Sequence, residues 1–531
     1  MNNRAKIYLP ILFSLLIAIG IFIGSKLNFS SQIPIRFLQS EKKSSDKINS
    51  VLNFIEEEYV DTVNKTLLEE KAIADLLQNL DPHSVYITAK EVQEMREPLE
   101  GNFEGIGIEF NIIRDTIRVI SVIAGGPSEE LGVQAGDKIV TIEGKKAAGV
   151  KIKNKDVMSK LRGKGGTQVK IEIMRGRSGK LIEYTITRGT IPIYSVDVAY
   201  MMDKKTGYIK VSRFAETTYD EFLDKVSKLR AEGMKNLILD LRGNGGGLLS
   251  TAVKICDEFL EKGEVIVYTK GKSHPKETIT ATNRGILSET KLIVLVDESS
   301  ASASEIIAGA IQDNDRGTIV GRRSFGKGLV QRETMFTDSS AIRLTVARYY
   351  TPTGRCIQKP YGKDMEDYYS EEYHRYQSGE LMHADSIHEN DSLKYKTPKG
   401  KIVYGGGGIT PDVFIPLDTA GRTPYLNELY LKGAFNQFCF EYADKNRKSL
   451  SKRGIENFTK SFPVDEKLLN DFFAFAEKTG VKANVRESST SKTLIRNLLK
   501  ASIARQIWNN DGFYPILNEE DKVIQKALKL F

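Results

Sequence analysis

The strongest constraint on the fold of this chain is a stretch whose apolar period changes midway, residues 292–331, LIVLVDESSASASEIIAGAIQDNDRGTIVGRRSFGKGLVQ. It opens with an uninterrupted apolar run, residues 292–296, the mark of a strand buried on both faces. From Ala303 the apolar positions Ile306, Ile307, Ala310 and Ile311 return at helical spacing, so the serine-rich turn joins a strand end to a helix start. Ser302 stands at that start. Helix N–H groups and the positive end of a helix dipole lie beside it, a setting that suits the nucleophile and part of the oxyanion hole of an acyl-transfer enzyme. Ser302-Ala303-Ser304-Glu305 is equally a capping box, in which serine and glutamate only satisfy free helix N–H groups, and local sequence alone favours that plainer reading.

A serine nucleophile needs a base. The five histidines, His83, His274, His374, His383 and His388, lie in no recognisable triad signature. Lys327 lies between two glycines in Phe325-Gly326-Lys327-Gly328, with Gln331 four positions on. A desolvated lysine can lose its proton near neutral pH and take one from a serine. Residues 321–327 also fit most of a phosphate-binding P-loop, but position 328 is glycine, so the magnesium-binding hydroxyl is missing. Residues 329–335 read no better as a helix than as a strand, and the nucleotide reading is the weaker one.

SSASASEIIAGAIQD followed by GRRSFGKGLVQ resembles the C-terminal processing peptidases, or tail-specific proteases, S41 serine proteases with a Ser-Lys dyad. The resemblance implies Ser302 as nucleophile, Lys327 as general base and Gln331 as the residue that orients the lysine. Ser299, Ser300 and Ser304 are then bystanders, a choice made by the resemblance and not by local chemistry.

Further motifs extend the likeness. Gly105-Ile106-Gly107-Ile108-Glu109-Phe110 resembles the carboxylate-binding loop of a PDZ domain, and residues 128–136 followed by DKIVTIEG at 137–144 resemble the rest of it. Successive N–H groups in such a loop can bind a terminal carboxylate while the adjoining strand adds the peptide tail as another strand. Strands are expected at 168–174 and 183–188, closing that domain near Thr190. Next come the segment Gly207-Tyr208-Ile209-Lys210-Val211, an amphipathic helix at about 219–230, a buried strand at 237–241, the loop Arg242-Gly243-Asn244-Gly245-Gly246-Gly247 and a helix at about 248–262. A dinucleotide fingerprint would need glycine at 248, where leucine stands. The resemblance implies oxyanion-hole N–H groups from Ala303 and from Gly246 or Gly247, which the sequence does not separate. LDPHSVYIT at 80–88 resembles the segment preceding the PDZ domain, and a lone histidine in such a turn, His83, is most often structural.

Residues 7–24 carry no charge, with Arg4 and Lys6 before them and Lys26 after. That is long enough to span a bilayer with the N-terminus in the cytoplasm. No A-x-A-like site follows, which favours an uncleaved signal anchor over a cleaved signal peptide. The expected organisation is an anchor at 1–27, a tether at 28–47, a helical region at 48–95, a PDZ domain at 96–190, a peptidase domain at 191–418 and a helical C-terminal region at 419–531. The expected fold class is α/β, and the resemblance implies a crotonase-like protease core with the PDZ domain inserted. Residues 359–404 are charged and rich in Tyr and Glu, a stretch that the usual pattern lacks, and read as an inserted lid or exposed excursion.

The net charge of +8 is spread without a basic run, so it reads as solvated surface and no nucleic-acid partner is expected. Neither Cys256, Cys356 and Cys439 nor the histidines at 374, 383 and 388 have metal-ligand spacing, and no metal or other cofactor is expected. The sequence therefore reads as a membrane-anchored, extracytoplasmic (periplasmic) serine endopeptidase whose partners are proteins with free C-terminal tails. A homo-oligomer or an adaptor protein stays open. The rival on the same fold is a catalytically silent PDZ-containing scaffold, against which the intact Ser302, Lys327 and Gln331 argue.

Overall fold

A six-stranded sheet carries the serine turn. Its order is Val196–Met201, Thr206–Val211, Asn236–Asp240, Lys291–Val296, Thr318–Gly321 and Val413–Phe414. The first pair is antiparallel and every later pair parallel. The computed structural model describes residues 47–123, 125–176, 181–362 and 365–531, so the expected anchor at 7–24 and nearly all of the tether lie outside the described residues. Among the described residues no helix is long and apolar enough to cross a membrane.

The continuous apolar runs are explained by burial on both faces of this sheet. Leu237, Leu239, Leu292, Val294 and Val296 pack with the helices Thr218–Ala231, Leu249–Asp257 and Ala303–Asp313. The alternate residues Ile238, Ile293 and Leu295 point the other way, as the two-residue period of a strand requires, and meet Val523, Ile524 and Ala527 of the terminal helix Lys522–Leu528. The last helix of the chain thus completes the central core.

A second, antiparallel sheet holds Val85–Ile87, Val265–Lys270, Glu277–Thr280, Leu329–Met335 and Ala341–Tyr350. Residues 329–335 are therefore a strand, settled by pairing with Ala341–Tyr350 and not by local propensity. Residues 108–187 form a separate sheet of Ile108–Ile112, Ile117–Val122, Lys138–Ile142, Lys145–Lys146, Gln168–Met174 and Leu181–Thr187, with its own core around Val119, Ile139, Ile171 and Val157. Asn102–Gly105 pairs with Gly189–Pro192 to make the two-stranded neck through which the chain enters and leaves that domain.

Where periodicity and structure differ, turn chemistry is the reason. The helix expected at 248–262 ends at Asp257, whose carboxylate takes the Thr282 hydroxyl at 2.7 Å. The apolar pattern at 426–440 spans two helices, Pro424–Leu431 and Ala434–Arg453, because Gly433 between them has φ 65°. These and the helices Glu466–Lys478 and Lys492–Glu519 enclose a core of Phe435, Phe472, Ile495 and Leu499.

The described residues of the stretch 359–404 are largely exposed but anchored at a few buried side chains. Its helix Met365–Gln377 buries Tyr368 and Arg375. Arg375 donates to the carbonyls of Arg323 at 2.7 Å and Ser324 at 3.2 Å and pairs with Glu380 at 2.8 Å, so this helix lies on the loop that precedes Lys327.

Candidate active site

The strand Lys291–Val296 delivers the chain into a turn in which the serines have separate tasks. Ser300 is fully buried, donating to the Leu241 carbonyl at 2.9 Å and accepting the Asp297 N–H at 2.9 Å. Ser304 is equally buried and donates to the Asn244 carbonyl at 2.8 Å. Ser299 is exposed on the turn. Ser302 alone of the four lines a cleft of about 1730 Å³, together with Lys327, Gln331, Gly246 and Gly247.

Ser302 has φ 55° and ψ −113°, a conformation that costs a residue with a Cβ. Neighbours hold it there. The preceding Ala301 N–H donates to the Asn244 carbonyl at 3.0 Å. The buried Tyr349 hydroxyl lies 3.0 Å from the Ser302 carbonyl and 2.7 Å from that of Lys327.

The Glu305 carboxylate reaches back to the Ser302 N–H at 2.9 Å, the glutamate half of the capping box. It does more than cap. Its Oε2 also accepts the Lys327 N–H at 2.8 Å, and its Oε1 accepts the Gly326 N–H at 2.7 Å and the Ser324 hydroxyl at 2.5 Å. Burial raises the Glu305 carboxyl above its ordinary value, while the Ser324 hydroxyl and the three N–H donors pull against that. Capping and a place in the cleft, alternatives at the level of sequence, are compatible, because the cap binds the Ser302 N–H and the Lys327 loop together.

Lys327 Nζ donates to Gln331 Oε1 at 3.3 Å, and Gln331 Nε2 donates to the His83 carbonyl at 2.8 Å. Burial holds the lysine below its ordinary value and the nearby Arg343 charge adds to this, with Glu305 and Asp81 opposing. The His83 imidazole bonds the Tyr368 hydroxyl at 2.8 Å. Burial, then the charge of Lys327, lowers it to about 4.

The glycine loop fits against the serine. Gly246 has φ 104°, and a Cβ there would stand 2.7 Å from Ser302 Cβ. The Gly246 N–H donates to Asn244 Oδ1 at 2.9 Å and its carbonyl accepts the Phe214 N–H at 3.0 Å. Gly247 lies so close to Phe214 that a Cβ would meet its carbonyl oxygen at 2.1 Å. Ala303 is the first residue of its helix, where backbone N–H groups have no intrahelical partner.

The loop Gly105-Ile106-Gly107-Ile108 is not in this cleft. It follows the neck strand Asn102–Gly105, whose Asn102 does line the cleft. The Ile106 carbonyl accepts the Ser128 N–H at 3.1 Å and the Gly107 carbonyl the Ile123 N–H at 3.0 Å. Sequence reasoning missed the His83 carbonyl, Tyr349 and Tyr368. None carries a local signal, whereas the four-bond role of Glu305 had a partial one in its capping-box spacing.

The model of peptidase family S41 matches residues 205–366, that of the PDZ domain residues 105–186, and that of a family of unknown function residues 425–509. A carboxy-terminal-processing protease of Bartonella bacilliformis is 36% identical over 344 residues, 64% of this chain and 78% of that protein. The carboxy-terminal processing protease CtpA of Bacillus subtilis is 32% identical over 360 residues, 68% of this chain and 76% of that one. Among solved structures, a photosystem II D1 C-terminal processing protease covers 70% of this chain and 87% of its own at 25% identity, with a TM-score of 0.36.

Proposed function

The chain belongs to peptidase family S41, as a serine-type peptidase carrying a PDZ domain, and on that premise we propose that Ser302 is its nucleophile and Lys327 its general base. The observation that carries this reading is that Ser302, alone among the neighbouring serines, opens into the cleft that Lys327 shares. Neutral Lys327 takes the hydroxyl proton as Ser302 Oγ attacks the scissile carbonyl, then gives it to the departing amine. Water repeats the sequence on the acyl-enzyme. Gln331 orients the amine. The N–H groups of Ala303 and Gly247 bind the developing oxyanion, since that of Gly246 already serves Asn244. Burial of Lys327 supports the role because only the neutral amine can act as a base.

The loop Gly105-Ile106-Gly107-Ile108 binds the free carboxylate of a substrate tail, a reading supported by the PDZ match and by the carboxy-terminal processing named for the bacterial relatives. The layered sheet and helices support a crotonase-like core. The uncharged segment 7–24 supports a single-pass anchor with the peptidase outside the cytoplasm, tested by protease accessibility in intact cells and spheroplasts.

The central experiment incubates the purified protein with an unfolded protein bearing an apolar tail, free or amidated. Wild type should cleave the free-tailed substrate faster, Ser302→Ala should cleave neither, and Ser304→Ala should retain turnover. Equal activity of the two serine variants would sink the nucleophile assignment, and equal rates on the two tails would sink tail recognition.

A further inference from the structure

The Lys359 N–H donates to the Gly326 carbonyl at 2.9 Å, so the segment 359–404 meets the loop beside the lysine. Gln331 presents its Oε1 to Lys327 Nζ only because its Nε2 is committed to the His83 carbonyl, so the turn holding His83 decides which way the amide points. That turn is held in place by two consecutive residues of the helix Met365–Gln377. Tyr368 bonds the His83 imidazole at 2.8 Å, and Tyr369 donates to the Pro82 carbonyl at 2.5 Å. Tyr368 also reaches the other side of the lysine, where Gln358 Nε2 lies 3.4 Å from its hydroxyl while Gln358 Oε1 accepts the Gly328 N–H at 2.8 Å.

We propose that the helix Met365–Gln377 is a positioning element for Lys327, with Tyr368 acting through the His83 turn on Gln331. The proposal rests on the reading of Lys327 as the general base. A helix that merely covered the loop would be expected to bury apolar side chains. This one buries a tyrosine hydroxyl and, beneath it, the ammonium of Lys359, which is 4.0 Å from the centre of the Phe325 ring and 4.1 Å from that of Tyr368 and is paired with Glu371. Buried polar groups are costly unless fully partnered, and here the partners run to the backbone on either side of Lys327. The charges acting on the lysine are Arg343 from the strand Ala341–Tyr350, Glu305 from the serine helix and Asp81 from the His83 turn, with His83 itself neutral. The insertion helix adds no charge to that group, so its contribution is orientation and exclusion of water.

Tyr368→Phe, His83→Ala and the double variant of the full chain decide the matter. Each single variant should lower kcat about tenfold with KM nearly unchanged, as expected for slight misplacement of a base. As water reaches the amine its pKa should rise, moving the acid limb of kcat/KM to higher pH. The double variant should be no slower than the slower single, because both cut the same link. Tyr369→Phe, which frees the same turn at Pro82, should behave alike and supplies a second arm if His83→Ala does not fold. A wild-type rate with a wild-type acid limb in Tyr368→Phe, or effects that multiply in the double variant, would overturn the proposal. Lys327→Ala in the same assay separates the two ideas: if it keeps activity the base reading fails, and if it is dead the tyrosine results judge the insertion alone.

Discussion

The Lys327 N–H donates to Oε2 of Glu305 at 2.8 Å. The Ser302 N–H meets the same oxygen at 2.9 Å, so one buried carboxylate joins the serine turn to the lysine loop. Tyr349 repeats the connection from the carbonyl side, its hydroxyl lying between those of the same two residues. The relative placement of the proposed nucleophile and base is therefore fixed through backbone groups.

Glu305→Gln should break that junction at nearly constant volume. An amide can offer one oxygen to four donors, and its NH2 must face N–H groups. Leaving buried donors unpaired costs about 1–3 kcal/mol each, so the thermal midpoint should fall. Turnover should drop at least about a hundredfold, since a shift of the order of 1 Å suffices for that. Undiminished kcat in the folded variant would show that the junction is not needed.

Lys327 should be a stability cost carried for function. Its amine is held below the ordinary value of 10.5 by burial and Arg343, so between the two values the unfolded chain binds more protons. Stability therefore rises as pH rises through that window and is lost as pH falls. Lys327→Met, inactive, should melt higher than wild type at neutral pH, with the gap closing as pH approaches 10.5. Lys327→Arg should be inactive too, because arginine does not give up its proton. Calorimetry across pH and the peptide assay check both statements.

His83 gives a window on the acid side. Its value is lowered from 6.5 to about 4, so in that interval the unfolded state takes up a proton that the folded state refuses. Stability should decline as pH falls from 6.5 towards 4, and His83→Gln should show a shallower decline. Parallel melting curves for the two proteins would contradict this.

What the sequence discloses and what it hides follow from distance along the chain. The strands at 237–241 and 292–296 are legible because burial on both faces demands continuous apolar residues, and the serine helix because its spacing is regular. Ser302, Lys327 and Gln331 fall within one short stretch and so form a readable motif. Glu305 is legible only as a cap, since its bonds to Ser324, Gly326 and Lys327 depend on how the intervening strand returns the loop. The His83 carbonyl is a backbone group that any residue could supply. Tyr368 reaches His83 across 285 positions, from a segment whose charged composition reads as surface.

The loop glycines provide the last and sharpest contrast. Gly246 has φ 104°, which disfavours any side chain, and its missing Cβ is replaced in space by Ser302 Cβ at 2.7 Å, the Ala301 carbonyl at 2.8 Å and the Ala303 N at 3.1 Å. A methyl group there must push the serine turn or the loop away, and both carry proposed oxyanion donors. Gly245, one position earlier, has no atom within 4 Å of its would-be Cβ and no left-handed φ. Gly246→Ala should therefore lose turnover by at least about a hundredfold with a lowered thermal midpoint, as misplaced oxyanion donors alone cost that much. Gly245→Ala should melt as wild type does. Steady-state kinetics on a free-tailed substrate and differential scanning calorimetry of both variants give the comparison, and an active Gly246→Ala would mean that the loop does not need its close seat against Ser302.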